Sequence, residues 1–153
     1  MLESVLPSLQ GLLTAAKAMA SFDAFRKGRK GDSRAIVEEL KENSRLCFRS
    51  INDDVDLALT IPEFTTTDFD RLNKAGFDFN SLKSGRIAAY AGIHETDLAS
   101  WAEKTTGELV ENIYDKIKNL KSLQKFKPGH PTARRRLMNI HKRILLLLRH
   151  AEA

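Results

Sequence analysis

The sequence predicts an all-α fold: a single-domain helical bundle over residues 1–153, with about four main helices and one or two short ones in the 62–94 region. Three observations carry that prediction. Apolar residues recur at three- and four-residue intervals along four long stretches, which is the spacing of one helical face. Nothing alternates apolar and polar residues as a half-buried strand does, and no repeat of about 20 to 50 residues is visible. With 42% hydrophobic and 29% charged residues in 153, the composition is that of a globular chain long enough to bury its own core.

The first stripe comprises Leu2, Val5, Leu6, Leu9, Leu12, Leu13, Ala16 and Met19, and Phe22 and Phe25 complete it. Pro7 sits near its start, where a missing N–H is tolerated, and the glycines at 28 and 31 end it. Asp32 or Ser33 suits the N-cap of a second helix that turns Ile36, Val37, Leu40, Cys47, Phe48 and Ile51 inward. That helix is expected to run on through Val55, Leu57 and Leu59 until Pro62 stops it. Thr66 or Thr67 caps a short helix carrying Phe69 and Leu72, ended by Gly76. Phe77-Asp78-Phe79-Asn80 reads as a turn whose aromatics anchor it to the core, and a second short helix fits at 87–90.

From 95 to 123 the period lengthens again, with Leu98, Trp101, Val110, Ile113, Ile117 and Leu120 on one side and Gly107 as its soft point. Residues 125–131 hold Pro128, Gly129 and Pro131 and read as a loop. The last helix spans 134–151, where Leu137, Ile140, Ile144, Leu147, Leu148 and Ala151 share one face and Leu145 and Leu146 widen it. A helix so apolar around its girth is either central to the bundle or pairs with another chain.

A single cysteine, Cys47, on a helical apolar face excludes a disulfide framework and reads as a core residue. Ala18-Met19-Ala20 imitates a signal cleavage site, but Glu3 and Lys17 stand where a secretory signal is basic and uncharged respectively, so the expected location is cytoplasmic. The longest apolar run, 144–148, is far short of the roughly 20 residues needed to span a bilayer.

Charge is distributed unevenly beneath a net +5. Residues 1–49 hold nine Lys or Arg against six acids, 50–115 hold five against thirteen, and 116–151 hold eleven and no acid. Concentrated cations favour a polyanion such as nucleic acid, because contacts to phosphates release condensed counterions. Lys125, Lys127, Arg134, Arg135, Arg136 and Lys142 are the candidate contacts. The competing expectation is that the acids of 50–115 fold against this segment and neutralise it. The sequence therefore points first to a non-enzymatic interaction module. Its partner is a polyanion met by the basic segment, or a protein, including a second copy of the chain, met by the apolar last helix.

No phosphate-binding glycine loop, no pair of histidines at metal-ligand spacing and no nucleophile elbow occurs, so no metal or cofactor is expected. Asp53, Asp54 and Asp56 lack the spacing and glycine of a calcium loop and suit a helix end instead. His94, His130 and His150 read as loop or surface residues. One short motif stands apart: Arg136 and His141 are separated by four residues, and Arg134 and Arg135 precede the same histidine at six and five. This resembles the signature of the HEPN ribonucleases, themselves all-α bundles, although the residue after the arginine, usually polar in that family, is Leu137 here. The resemblance implies metal-independent RNA cleavage across a dimer, with His141 in acid–base work and Arg136 stabilising the charged transition state.

Overall fold

The computed structural model describes residues 9, 12, 14–90, 93 and 96–153. Leu2, Val5, Leu6 and Leu13 of the predicted first stripe lie outside them, as does Pro7. The described residues form an all-helical bundle with no strand beyond one isolated bridge between Arg86 and Thr105. Its long helices are α1 (Ala15–Arg26), α2 (Gly31–Asn52), α5 (Thr106–Phe126) and α6 (Ala133–Glu152), with short helices α3 (Leu57–Thr60) and α4 (Thr67–Lys74) between. Helix α6 lies against α1, α2 and α5 together, and every side chain from Ile144 to Leu148 is fully buried. Its apolar girth is therefore explained by a central position within one chain. No described helix is long and apolar enough to cross a membrane.

Local chemistry sets the boundaries, and in three places it differs from the expectation. Helix α2 starts at Gly31, with Asp32 in its first turn favouring the dipole, and Lys30 at the N-cap offers no side-chain bond. It stops at Asn52, well before Pro62, because Asp53 caps its end and Asp54 takes the left-handed conformation at φ 58°. Asp56 then starts α3 afresh by accepting from the Ala58 N–H at 3.0 Å. The acidic trio is thus helix punctuation. Helix α4 closes as a Schellman motif about Gly76 (φ 80°), with Phe77 N–H donating to Leu72 O and Gly76 N–H to Asn73 O.

The third difference lies at 83–105, where the sequence suggested one short helix and the start of a long one. Ile87 instead pairs its backbone with Glu103 and Lys104, and the only helical piece described there is a 3₁₀ turn, Ala99–Trp101. Helix α5 begins at Thr106 because Thr105 and Glu108 form a capping box, each side chain satisfying the other's backbone N–H. Gly107 is then no kink but a docking point. Its N–H donates to Asn80 Oδ1 at 2.7 Å, and a Cβ there would stand 2.8 Å from the same oxygen. The predicted aromatic turn does anchor: Phe77 meets Phe79 edge-on, Phe79 stacks on Phe69, and Phe69 stacks on Tyr114 at 4.3 Å.

Two polar residues one turn apart on α2 hold this region in place. Glu39, only 4% exposed, accepts from the backbone N–H of Asp68 at 2.8 Å and of Phe69 at 3.0 Å, capping α4 from a neighbouring helix. Asn43 exchanges two bonds with the backbone of Thr65. Burial, and then the charge of Glu39, push the Tyr114 phenol well above its usual range. Replacing Glu39 with alanine strands two buried donors and removes charge-assisted bonds, so Glu39→Ala should lower the unfolding free energy by about 3 kcal/mol. Urea denaturation checks this, and Glu39→Gln, which keeps one acceptor oxygen, should recover part of the loss. A change in Glu39→Ala below about 1 kcal/mol would show that α4 does not depend on this cap.

Candidate functional site

Eleven cations lie between 116 and 151, and the acids of the middle section reach few of them. Asp70 binds Lys118, and Asp97 binds Lys142 at 2.8 Å and Arg143 at 3.2 Å. Burial raises the Asp97 carboxyl, but the bond and charge of Lys142 and the charge of Arg143 outweigh it and leave the group below the usual carboxylate range. Among the described residues the other eight cations have no carboxylate within 4.0 Å. Lys142, one of the expected contacts, is thus committed to Asp97. The remaining five candidates, Lys125, Lys127, Arg134, Arg135 and Arg136, are all exposed and without such a partner.

These five cluster because of how α5 ends and α6 begins. Lys125 and Phe126 form the last turn of α5, Lys127 is its C-cap, and Gly129 (φ 73°) turns the chain back. The His130 ring accepts from the Thr132 N–H, and α6 begins at Ala133 with the three arginines in its first turn. Arg136 Nε donates to Thr132 Oγ1 at 3.0 Å, which fixes the stem of that guanidinium against the loop.

Beside this corner, hollows follow one another along the outer face of α5. A polar one of about 70 Å³ is lined by Lys116, Asn119, Arg136 and Asn139. Asn119 and Arg136 also line the next, of about 320 Å³, together with Phe126 and Lys127. Phe126 in turn borders an apolar hollow of about 690 Å³ with Ile61, Pro62 and Pro128, edged by Lys121 and Lys125. Burial, then the like charges of Arg143 and Arg136, hold Lys116 below the usual lysine range, while Asp97 acts the other way. Cations are therefore held close together here, and a bound anion would relieve their repulsion.

Lys116, Asn119, Asn139 and Phe126 were not among the residues singled out from sequence. Phe126 carried a readable signal: at 100° per residue it falls about 180° from Ile117, on the side of α5 that faces away from the core. It is 73% exposed. The two asparagines carried none, because neutral amides on a helix surface are ordinary.

The arginine–histidine pair is not assembled. Arg136 stands in solvent, whereas His141 is 1% exposed and packs edge-on against Phe48 at 4.6 Å, with no hydrogen-bond partner described for its Nδ1. The His141 imidazole is therefore not presented to solvent beside Arg136. His150 also departs from expectation. It is buried, with Nε2 2.8 Å from Thr106 Oγ1. That hydroxyl gives its proton to Lys83 O, so the imidazole must supply the hydrogen of the shared bond. His94 lies outside the described residues. Cys47 is a buried core residue, and burial pushes its thiol up. Among the described residues no group of three or more His, Cys, Asp or Glu is placed to hold a metal ion.

Burial pulls the His141 imidazole down to about 4, against roughly 6.5 in an unfolded chain. The unfolded state therefore takes up this proton first. Stability from this source is whole above pH 6.5 and is lost as pH falls toward 4, by about 3 kcal/mol in all. His150 is shifted the same way, by burial and then by Lys83. Unfolding free energies from urea melts of wild type and His141→Leu between pH 7 and pH 4 should fall in both, through His150 and the lowered carboxylates such as Asp97. They should fall less in the variant, because it lacks the His141 contribution. Parallel curves would show that His141 is not held neutral by the fold.

No known family, curated protein or solved structure matches the chain.

Proposed function

We propose that this protein is a non-enzymatic helical module that binds a polyanion, nucleic acid being the chemistry that fits, through the corner where α5 meets α6. One observation carries the reading: eight of the eleven cations between 116 and 151 have no carboxylate within 4.0 Å among the described residues, although thirteen acids lie in the preceding section. Internal neutralisation accounts for three. A chain that brings Lys125, Lys127, Arg134, Arg135 and Arg136 to one corner without acids pays electrostatic repulsion that a phosphate backbone would reverse.

Contact through the apolar face of α6, whether to a second copy or to another protein, has less support. Ile144 to Leu148 are covered within the chain, so that helix offers a partner only its polar side. Ribonuclease action has less again, since His141 is enclosed.

The test is fluorescence anisotropy of a labelled RNA oligonucleotide across a salt series. Affinity should fall linearly on a log–log plot, each phosphate contact adding about 0.7 to the slope for a single strand. Changing Arg134, Arg135 and Arg136 together to glutamine should lower affinity at low salt and flatten the slope by about 2. The same number of cations removed from ion pairs elsewhere, by changing Arg26, Arg45 and Arg71 to glutamine, should cost much less. A flat salt response in the wild type, or no binding at low ionic strength, would defeat the proposal.

A further inference from the structure

The hollows beside the α5–α6 corner share lining residues, and their chemistry changes in order along the trough. At one end Lys116, Arg136, Asn119 and Asn139 line a hollow of about 70 Å³, cationic and amide in character. At the other end Phe126 borders Ile61, Pro62 and Pro128. Phe126 belongs to both the middle hollow, with Arg136 and Lys127, and the apolar one, with Lys125. From Lys116 to Phe126 the trough follows α5 for ten residues, about 15 Å at the helical rise.

The unusual feature is a large aromatic ring, 73% exposed, set among cations instead of acids. An exposed phenylalanine has no folding benefit at that position, because it buries little area. A duplex offers such a ring nothing, since its bases are stacked on one another and only phosphates and groove edges are outside. Single-stranded nucleic acid offers both things the trough presents to: phosphates for the cations and an unstacked base for the ring. Lys125 Nζ lies over one face of the ring, 5.5 Å from its centroid, and a base would take the other.

We propose that the trough binds single-stranded nucleic acid in preference to duplex, with a phosphate between Lys116 and Arg136 and a base stacked on Phe126. This rests on the polyanion reading and specifies the class of polyanion. Charge complementarity selects the strand over an apolar protein segment: the trough is rimmed by Lys121, Lys125, Lys127 and Arg136, and no acid lines any of the hollows along it.

The experiment compares three labelled probes at one low salt concentration: an oligouridine, a duplex RNA of the same length, and poly-glutamate of similar charge. Phe126 is exposed at a helix end, so Phe126→Ala should fold normally, and its circular dichroism melt verifies this. Expected are tighter binding of oligouridine than of duplex, a loss of about tenfold for oligouridine in Phe126→Ala, and retention in Phe126→Trp. Poly-glutamate should bind both proteins alike. Equal oligouridine affinity in wild type and Phe126→Ala, or duplex bound as tightly as single strand, overturns this inference while leaving the polyanion reading intact if the arginine variant still loses binding. An equal loss for poly-glutamate also overturns it, since the ring would then serve something other than a base. Failure of every probe to bind the wild type overturns the inference and the polyanion reading together.

Discussion

The structure is organised around five consecutive side chains of α6, Ile144 to Leu148, that are buried on all sides. A helix turns through more than one full revolution over five residues, so such a run has no outward face. It must be surrounded, and α1, α2 and α5 surround it. Each of these side chains is worth about 1.5 to 3 kcal/mol in removal from water, which makes the central position the largest single commitment of the sequence. Charge is excluded from that run and flanks it, with Lys142 and Arg143 directly before it and Arg149 directly after. Three arginines also stand in the first turn, where a helix dipole alone would not choose them, and Arg149 lies over the Tyr90 ring.

A second constraint ties the core to the trough. Glu39 and Asn43 on α2 fix the backbone from Thr65 to Phe69, and Phe69 stacks on Tyr114 of α5. The segment just before this, the 3₁₀ turn Ile61–Glu63 and Phe64, is fastened to α5 by Lys121, whose ammonium donates to the Phe64 carbonyl. That bond places Ile61 and Pro62 against the last turns of α5 and makes them a wall of the hollow that Phe126 borders. Lys121 has no carboxylate partner because backbone carbonyls occupy it. Its role is structural first, and its charge comes to the rim as a consequence.

How much of this was legible in the sequence depends on whether the signal was local. The all-α class, the buried stripes of α2, α5 and α6, and the end of α4 at Gly76 follow from periodicity and from single residues with one conformational preference. The early end of α2 was written in Asp53 and Asp54, yet apolar Val55, Leu57 and Leu59 continued the period and masked it. Leu59 proves 69% exposed, so period alone misled. The start of α5 was also written locally, in Thr105 and Glu108, and was hidden because Leu98 and Trp101 extended the stripe backwards. What no local pattern carries is pairing across the fold. That Lys142 meets Asp97, that His150 meets Thr106, and that Lys116 stands beside Arg136 depend on which helices become neighbours. Five of the six candidate cations stand exposed without a carboxylate, because exposure at a helix start or a proline–glycine loop is itself local.

The unpaired cations follow from the same geometry. Many acids of 50–115 serve the ends of helices: Asp56 caps α3, Asp78 holds the 3₁₀ turn Phe79–Leu82, and Glu108 completes the box at α5. These three carboxylates sit where their own backbone needs them and do not cross the bundle. Asp70 and Asp97 do cross, and Asp97 meets Arg143, whose guanidinium is almost enclosed and needs a partner most. That pair is placed where an unpaired charge would cost most. The outermost cations, at the α5–α6 corner, are left to water and to whatever anion replaces it.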